Sequence, residues 1–461
     1  MNASSQFICS DDERVQAAPP RPGWLASVVL GALLLFVYLI NGRDLGCDDT
    51  FSATLLPLNI LRGEGIYLEN KYHPKGMKPS EIPYTWIWSR RHVVPLYPVA
   101  PALVALPLVA PQVAVRDFVR PGWDRDPALA VSESRVMVKR SMAALVALTG
   151  VILYRVLLLL ELRRAALPAV LTACLGSDLW TVASQAAWQH GPAALSLITA
   201  IALLLPQPMS RRRLTLAGLA TTSLVACRLM DIVFAVAIVA WLVWKDRRAL
   251  LWFLPAPILG GLGLLAYNFW FFGSIVGGQA RIEQYHTVFH GVTGVWSSNL
   301  LDGFCGTLFS PNRGLLVFSP WVAVALATLA VPSVRQKLAA HSLISVLIAS
   351  LIPYLVILSK YSVWWGGHCF GPRYWTDAIP LFAILLAIGL EGALARPRAL
   401  ASISAITVVF SIAVQIVGAF CFPSTWNSRP ANVDLNHDRL WDWRDSELSR
   451  CLIESFRPPG R

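Results

Sequence analysis

Charged residues are scarce in this chain. Asp, Glu, Lys and Arg make up 14% of its 461 residues, whereas 55% are hydrophobic, and a typical soluble domain has about one quarter charged residues. This composition excludes an ordinary soluble domain, and apolar runs long enough to cross a membrane recur along most of the chain. No lipid-facing alternation indicates a β-barrel. The sequence therefore predicts an all-α polytopic membrane protein.

Metal-binding patterns are also lacking. The eight cysteines show no CxxC or Cys/His spacing, and the sequence has no visible internal repeat or low-complexity tract. Cys47, Cys305, Cys369 and Cys451 are expected on the oxidising side, where a disulfide and free thiols are equally compatible with the sequence. No cofactor is firmly predicted, since a divalent metal ion would be compatible with the chain but is not required.

The net charge of +12 comes from short basic clusters that stand between apolar runs. Such clusters mark cytoplasmic loops under the positive-inside rule. We therefore expect contact with membrane lipid and no nucleic-acid partner. The clusters lie at 163–164, 211–213, 245–248, 335–337 and 396–398.

A count of about eleven transmembrane helices, in a range of roughly 11 to 13, places these clusters on the cytoplasmic side. The helices belong to one transmembrane domain at 24–422, which follows a disordered cytosolic tail at 1–23 and precedes a periplasmic C-terminal tail at 423–461. The expected spans are 24–40, 137–160, 167–184, 191–205, 214–227, 231–244, 250–272, 314–331, 341–359, 375–391 and 400–420.

Two regions depart from regular spans. Residues 96–115 are apolar but contain several prolines, each of which removes a backbone hydrogen bond inside a helix, so we predict a re-entrant or interfacial segment. The helices at 214–227 and 231–244 are shorter than the roughly 20 residues that a full crossing needs. Arg228 and Asp231 between them are therefore expected in a protein-lined recess, where charges are usually functional or paired.

The long outer loop at 41–95 opens with an acidic pair, Asp48 and Asp49. The pair begins an amphipathic stretch, 49–62, that can lie flat at the membrane interface. Helix capping is one interpretation, because aspartate is favoured at helix N-termini. Catalysis is the other, because a carboxylate there can act as general base on an acceptor hydroxyl. One cap does not need two acids, so we expect a catalytic role for this pair.

A later outer loop, 360–374, carries the run YSVWWGGHCFGPRY after Lys360. Its glycines let the backbone approach a ligand closely, and the guanidinium of Arg373 offers a bidentate fork for phosphate. Lys360 and His368 are expected to support Arg373. An interfacial aromatic belt with snorkelling basic side chains is the alternative interpretation.

Further outer segments supply additional candidates. Arg313 closes the loop at 273–313, where its charge could meet an anion or anchor the interface, and the turn WQHGP contributes Gln189 and His190. The expected residues for donor phosphate are Arg373, Lys360, His368 and Arg313. The expected residues of the acceptor pocket are His190, Gln189, Tyr374, Trp365 and Arg228.

With these residues in place, the chain resembles the GT-C superfamily of membrane glycosyltransferases. Within it, the chain is most similar to the branch of protein O-mannosyltransferases and lipid A aminoarabinose transferases. The shared features are the acidic pair of the first outer loop, the Tyr97-Pro98 stretch after it, and the motifs WQHGP, FSPNRGLLVFSP and WWGGHCFGPRYWTDAIPLF. The layout covers residues 24–422.

The resemblance implies transfer of a sugar, with inversion, from a polyprenyl-phosphate donor to a glycan, lipid or protein acceptor. It places the active site on the periplasmic face of a bacterial inner membrane. It also implies that a first-loop acid is the base. Relatives often have Asp-Glu where this chain has Asp48 and Asp49, so the base stays open, with Asp48 preferred. Many relatives carry another acid where this chain has Gln189-His190, which leaves a metal role open as well.

Two other classes of protein fit a polytopic chain. A transporter or lipid flippase is expected to have paired, similar halves and midplane charges on broken helices, and no such repeat is visible. A non-catalytic scaffold would not need two acids near a cationic, glycine-rich loop. The transferase interpretation is therefore preferred, and the resemblance implies a GT-C-type hexosyl- or pentosyltransferase.

Overall fold

The computed structural model describes residues 23–69, 84–393 and 398–456. The predicted cytosolic tail, apart from Gly23, lies outside these residues, as do Arg396 of the last basic cluster and the end of the C-terminal tail. Within the described residues the chain is helical, with one short two-stranded hairpin. The all-α prediction is confirmed, and the hairpin is an addition that the sequence did not indicate.

The N-terminal elements surround the first outer loop. They are α1 (Trp24–Leu39), α2 (Asp48–Leu61), β1 (Trp86–Ser89), β2 (His92–Pro95), α3 (Ala100–Val119), α4 (Pro127–Leu159), α5 (Ala166–Leu175) and α6 (His190–Leu204).

The remaining elements complete the helical bundle and its outer loops. They are α7 (Arg211–Cys227), α8 (Ile232–Lys245), α9 (Leu250–Phe253), α10 (Pro255–Phe272), α11 (Gln279–His290), α12 (Leu300–Phe309), α13 (Leu315–Phe318), α14 (Trp321–Ala327), α15 (Pro332–Ala340), α16 (Ser342–Ala349), α17 (Leu351–Lys360), α18 (Ile379–Ala393), α19 (Arg398–Cys421) and α20 (Glu447–Ser455).

Fewer helices are long enough to cross a membrane than the sequence predicts. Six of the described helical segments are both long and apolar enough, and there are up to seven if Trp321–Ala330 and Pro332–Ala340, which meet at 88°, form one span. Several other predicted spans, α1, α5 and α6 among them, are shorter apolar helices. A hydropathy average extends across a break in a helix if the residues on both sides are apolar. The helix itself ends at the break. The predicted span 167–184, for example, is α5 followed by a separate π-helical turn, Leu179–Ala183.

The proline-rich segment 96–115 folds differently from the simplest expectation. Most of it belongs to α3, a continuous helix of 20 residues that is long and apolar enough to cross a membrane. Pro101 lies in the first turn, where no intrahelical N–H donor is needed. Pro107 and Pro111 lie inside the helix. The prolines therefore do not break this segment.

The packing of α3 bears on its position relative to the bundle. The Gln112 side chain donates to the carbonyl of Met137 at 3.2 Å and to the hydroxyl of Ser141 at 3.0 Å, both on α4. Between these two residues lies Lys139, whose ammonium donates to Asn41 just beyond α1 at 2.6 Å. This part of α3 therefore lies level with the outer end of α1, as an interfacial helix would, and its interfacial placement stays a prediction.

The β-hairpin is fixed to the outer end of α10. Strands β1 and β2 pair antiparallel with Trp86 opposite Pro95, and Arg90 and Arg91 form the turn with φ of 48° and 68°. Positive φ at both central residues is the pattern of a type I′ turn, which disfavours side chains other than Asn, Asp and Gly. The Arg90 guanidinium compensates by donating to the Trp270 carbonyl at 2.6 Å and by stacking 4.1 Å from the centre of the Trp270 ring.

The core of the bundle forms where α1, α4 and α5 meet. A Cβ atom at Gly150 of α4 would lie 2.5 Å from Leu34 of α1 and 2.8 Å from Cys174 of α5, so only glycine fits this contact. The Tyr38 hydroxyl of α1 donates to the Cys174 carbonyl at 3.1 Å. Small residues at helix contacts are typical of membrane bundles, because they let helix backbones approach closely.

The seven cysteines in the described part of the chain are free thiols. They include Cys47, Cys305, Cys369 and Cys451. Of the two states that the sequence left open for these four, the structure has the reduced one.

Candidate active site

The acidic pair lies in the first turn of α2, but neither acid caps the helix. Thr50 does so instead: its hydroxyl accepts from the Cys47 backbone N–H at 3.2 Å and donates to the Cys47 carbonyl at 2.7 Å. The carboxylates of Asp48 and Asp49 are therefore free for other contacts. Their charges still favour the helix, because its N-terminus carries a partial positive charge.

Asp49 is paired with Arg373. The Arg373 Nη1 donates to Asp49 Oδ2 at 2.9 Å, and the two side chains are 10% and 15% exposed. The Tyr84 hydroxyl donates to the other carboxylate oxygen. Burial by itself raises the pKa of Asp49, but the Arg373 charge and the hydrogen bonds from Tyr84 and Tyr97 together lower it below its usual value. Asp49 is therefore a carboxylate that is already neutralised by its partners.

Asp48 has a different environment. Its side chain is exposed, and among the described residues it has no hydrogen-bond or ion-pair partner. It lines the same cavity as Asp49. The two acids that the sequence could not distinguish are thus one free and one paired carboxylate at the wall of one cavity.

Two cavities meet at the Asp49–Arg373 pair. The first, called the polar cavity, has a volume of about 390 Å³ and opens on the side of the outer loops. Its polar walls include Asp48, Tyr84, Tyr285, His286, His290, His368, Asn432 and Asp434.

The second, called the apolar groove, has a volume of about 490 Å³. Leu229 and Ile232 at its lip are exposed on the outside of the bundle. Its apolar walls are Leu229, Met230, Ile232, Ile282, Val295, Trp296 and Ile357.

Five residues belong to the walls of both cavities. They are Asp49, Tyr97, Tyr361, Arg373 and Tyr374. An amphiphilic molecule that occupies both spaces must therefore pass the Asp49–Arg373 pair, with its apolar part on one side and its polar part on the other.

Arg373 retains capacity to bind a ligand. Its Nε is buried and has no hydrogen-bond partner among the described residues. The guanidinium stacks 4.8 Å from the centre of the Trp188 ring and 5.2 Å from that of Tyr374. An unpaired donor on a buried guanidinium costs free energy unless a ligand accepts from it. This arrangement suits an anion at the junction of the two cavities.

Behind Tyr374 lies a buried polar network. Arg228 Nη1 donates to the Tyr374 carbonyl at 3.0 Å, to the Tyr354 hydroxyl at 2.7 Å and to Asp377. His190 Nδ1 lies 3.0 Å from the other Asp377 oxygen. Buried charges at such depth are usually paired in this way. The network holds Tyr374 in place, and no pattern in the sequence indicated that Asp377 takes part in it.

The expected acceptor pocket is therefore divided in the structure. Tyr374 lines both cavities, and Gln189 and Arg228 line the apolar groove. His190 is fully buried against Asp377 and lines neither cavity. Its place in the buried network keeps it from the walls of both cavities, and its role as an acceptor-pocket residue stays a prediction.

Two of the cations expected at the phosphate lie elsewhere. The Lys360 ammonium donates to the Ser298 carbonyl at 2.8 Å and lines neither cavity. Arg313 is 1% exposed, and it donates to Glu447 and to Asn427, each at 2.7 Å. In the described structure other partners engage each side chain away from the two cavities, and their roles at the donor phosphate stay predictions.

His368 and Trp365 meet the C-terminal tail. Trp365 Nε1 donates to Asp434 Oδ1 at 2.8 Å, and His368 Nε2 lies 3.2 Å from Asp434 Oδ2 and 3.1 Å from Asn432 Oδ1. His368 lines the polar cavity with Asp434. The sequence analysis predicted no role for the C-terminal tail at 423–461. In the structure, this tail supplies part of the wall of the polar cavity.

The pKa values of Asp434 and His286, which both line the polar cavity, are shifted by their surroundings. Burial raises the pKa of Asp434, but hydrogen bonds from His290 and Trp365 outweigh it and lower that pKa below its usual value. Burial lowers the pKa of His286 to about 4, so its ring is neutral at neutral pH. The wall of the polar cavity therefore combines the Asp434 carboxylate with the neutral ring of His286. Within the described residues no cluster of three or more His, Cys, Asp or Glu side chains is arranged to hold a metal ion.

The sequence missed several residues that the structure places at the site. Tyr84, Tyr285, His286 and Asp434 lie in segments whose polarity and spacing predict ordinary loops or interfacial aromatics. Two other residues had a signal: Tyr97 precedes Pro98 in a stretch that the GT-C resemblance includes, and Tyr361 belongs to the glycine-rich loop at 360–374.

Comparisons with known proteins give one distant likeness. No protein-family model matches the chain, and neither does any curated protein. The backbone is similar to the crystal structure of ArnT from Cupriavidus metallidurans bound to undecaprenyl phosphate, with 14% sequence identity and a TM-score of 0.46 over 86% of this chain and 75% of that chain. ArnT is a lipid A aminoarabinose transferase of the GT-C superfamily, the branch that the sequence motifs resemble. So distant a likeness assigns neither substrate nor reaction to this chain.

Proposed function

We propose that this chain is an integral membrane glycosyltransferase, which transfers a sugar from a polyprenyl-phosphate donor to an acceptor hydroxyl on the outer, periplasmic face. The observation that carries the proposal is the junction at Asp49 and Arg373. A polyprenyl-phospho-sugar is apolar in its tail, anionic at its phosphate and polar at its sugar. The apolar groove, Arg373 and the polar cavity offer matching surfaces in the same order.

Arg373 is assigned to the donor phosphate. Its unpartnered Nε can donate to a phosphate oxygen, and its positive charge offsets the negative charge that develops on the leaving group. Arg228 lines the same groove and stacks 5.1 Å from the centre of the Tyr374 ring. Its charge is already paired with Asp377, so its part in the groove is to hold Tyr374 and to line the path of the carrier.

Asp48 is assigned as general base, and Asp49 as the residue that positions Arg373. A carboxylate that already accepts from Arg373 and Tyr84 is a weaker proton acceptor than a free one. Asp48 has no such partners in the described structure and faces the polar cavity, where an acceptor can enter.

In the proposed reaction, Asp48 accepts the proton and Arg373 lies beside the leaving phosphate. Asp48 takes the proton from the acceptor hydroxyl, and the acceptor oxygen bonds to the anomeric carbon. The bond from that carbon to the phosphate oxygen breaks on the opposite face, and its electron pair leaves with the phosphate beside Arg373. Attack opposite to the leaving group inverts the anomeric carbon.

The binding test uses undecaprenyl phosphate itself, with the protein in lipid nanodiscs. Removing a charge-assisted hydrogen bond costs about 1.5–3 kcal/mol, so Arg373→Gln should weaken binding about 10- to 100-fold. Lys360→Gln is the matched control, because its ammonium lines neither cavity, and it should bind as the wild type does. Equal binding by wild type and Arg373→Gln would contradict the assignment of the phosphate.

The turnover test uses undecaprenyl-phospho-sugars labelled in mannose, glucose, arabinose or aminoarabinose, with a membrane extract as the source of acceptors. Asp48→Asn should lower turnover about 10²- to 10⁴-fold and leave undecaprenyl phosphate binding unchanged. Full turnover by both Asp48→Asn and Asp49→Asn would end the mechanism. Tight carrier binding without release of any of the sugars would favour the transporter or flippase interpretation.

A further inference from the structure

A third cavity lies between the β-hairpin and the start of α11, and the proposed reaction does not use it. It has a volume of about 640 Å³. Its walls include four aromatic rings, a basic and an acidic side chain. They are Trp86, Trp88, Phe271, Phe272, Arg281 and Glu283. It is called the hairpin cavity below.

The hairpin connects this cavity to the candidate active site. Tyr84 lies two residues before β1 begins at Trp86, and within the strand Trp86 and Trp88 share one face, because successive side chains point to opposite faces. Tyr84 donates to Asp49, whereas Trp86 and Trp88 line the hairpin cavity. Four residues of extended chain span at most about 14 Å, so Trp88 stands within about 14 Å of Tyr84. That distance matches two or three linked sugar rings.

Helix α11 provides the opposite wall of both spaces. Arg281 and Glu283 in its first turns line the hairpin cavity, and Tyr285 and His286 one turn later line the polar cavity. The rings of Tyr84 and Tyr285 stack with their centres 4.0 Å apart. The segment from Tyr84 to Trp88 and helix α11 therefore both connect the polar cavity to the hairpin cavity.

The side chains of the hairpin cavity fit a saccharide. A sugar ring has an apolar C–H face, which stacks on aromatic rings, and a rim of hydroxyl groups that donate and accept hydrogen bonds. Trp88 is 52% exposed, so its ring face is accessible. Trp86 is 3% exposed, and its Nε1 has no hydrogen-bond partner among the described residues. A buried donor of this kind requires an acceptor, which a sugar hydroxyl supplies.

The wall is also rigid where the aromatic rings are attached. The Ser89 hydroxyl donates to the Phe271 carbonyl at 2.5 Å, and Arg90 donates to the Trp270 carbonyl at 2.6 Å. Trp86 stacks on Phe51 of α2 with the ring centres 5.6 Å apart and the planes within 5°. A preorganised aromatic wall binds with less loss of conformational entropy than a mobile one.

We propose that the hairpin cavity binds the saccharide portion of the acceptor, with Trp88 as its stacking platform. This inference rests on the proposed glycosyltransferase function and adds that the acceptor is a glycan or glycolipid whose sugar chain extends beyond the hydroxyl that reacts. The terminal sugar lies in the polar cavity near Asp48, and the next units pass along the strand to Trp88.

The direct test is saturation-transfer NMR on the protein in nanodiscs of phosphatidylglycerol. The probes are maltopentaose, cellopentaose and chitopentaose, without donor. At least one should receive magnetisation from the protein. Trp88→Ala should weaken its binding about 2- to 10-fold, the range of a single aromatic contact, and Trp88→Phe should retain most of it. Trp443→Ala is the matched control, since Trp443 is also exposed on an outer segment but lines none of the three cavities.

The outcomes separate this inference from the proposed function. Release of labelled sugar from the donor to water does not need an acceptor glycan, so this rate reports on the transferase independently of the saccharide site. Loss of water-dependent release in Asp48→Asn, with no Trp88-dependent signal from any probe, would overturn the saccharide site and leave the transferase intact. A Trp88-dependent signal from lipid headgroups alone would also overturn it. Saccharide binding with no donor turnover in the wild type would refute the transferase.

Discussion

A Cβ atom placed on Gly366 would lie 3.0 Å from Nε of Arg373 and 3.2 Å from its Cγ. Gly366 also has φ of 78°, a backbone conformation that disfavours side chains. The glycine therefore serves two purposes in the late outer loop: it permits the turn, and it leaves the space that the Arg373 side chain occupies beside Asp49.

Gly366→Ala should weaken binding of undecaprenyl phosphate, because the added methyl group displaces the guanidinium from the junction of the two cavities. Gly367→Ala is the matched control. It has a similar φ of 68°, but its nearest neighbour, His290, lies at an ordinary 3.8 Å. Both variants should lose about 1 kcal/mol of stability to backbone strain, and only Gly366→Ala should lose affinity. Equal affinity losses in the two would show that strain of the loop, and not the Arg373 contact, is responsible.

The pairing of Asp49 predicts a pH-dependent contribution to stability. Its pKa is lower in the folded protein than in the unfolded chain, so the folded state is favoured by the ionised carboxylate. This contribution is present at neutral pH and is lost as the pH falls through the folded-state pKa. The difference in melting temperature between wild type and Asp49→Asn should therefore shrink as the pH falls from about 7 to about 3.

Asp302→Asn serves as the control for removal of an acidic side chain, because Asp302 is an exposed carboxylate. At neutral pH its melting temperature should lie much closer to that of the wild type than the melting temperature of Asp49→Asn does. A constant gap between wild type and Asp49→Asn over the whole range would mean that Asp49 gains nothing from its partners in the folded state.

The Arg313–Glu447 pair predicts a structural role for the C-terminal tail. The two side chains are 1% and 0% exposed and lie 2.7 Å apart, and removing one member of such a pair typically costs about 3–5 kcal/mol. Arg313→Gln should therefore lower the melting temperature and make the tail sensitive to protease. Arg444→Gln, at an exposed position of the tail, should change neither.

The same variant distinguishes this role from the one that the sequence predicted for Arg313. At a temperature where it is folded, Arg313→Gln should bind undecaprenyl phosphate with nearly the wild-type affinity. A large loss of affinity in a variant of unchanged melting temperature would restore Arg313 as a phosphate ligand.

Gly303 marks a contact between helices α12 and α17. A Cβ atom there would lie 2.0 Å from the backbone carbonyl oxygen of Ser359, so Gly303→Ala forces the helices apart and should cost about 1–3 kcal/mol. Gly261→Ala is the control, because no atom lies within 4 Å of a Cβ at that position of α10. It should be neutral or stabilising by up to about 1 kcal/mol. Thermal unfolding of both variants in nanodiscs measures the difference.

Local sequence patterns indicated some of the residues that line the two cavities and missed others. The acids at Asp48 and Asp49 and the glycine-rich loop around Arg373 were visible because residue type and spacing alone mark them. Asp49 and Arg373 are 324 positions apart in the chain, so no local pattern indicates that they form a pair. Arg313 and Lys360 show the converse: each is a cation in an outer loop, as a phosphate ligand should be, but tertiary packing gives each of them another partner.

The number of spans shows the same limit. A hydropathy window reports whether a segment is apolar, but it does not report where a helix ends. Arg228 and Asp231 were correctly expected between two short helices, since charges interrupt the apolar pattern there. The continuity of α3 through Pro107 and Pro111 was not expected, because proline weakens a helix only by the bond and the space that it removes locally, and neighbouring helices can compensate.

By itself, the amino-acid sequence determined that this protein is a helical membrane protein with its polar chemistry in a few outer loops, because apolar length and charge are additive properties of short segments. Only the tertiary structure decided which loop residues face one another. Asp49 pairs with Arg373, and Asp434 and Trp88 line cavities with residues from distant segments. These contacts depend on side-chain directions and on close packing between distant segments, which are properties of the whole fold.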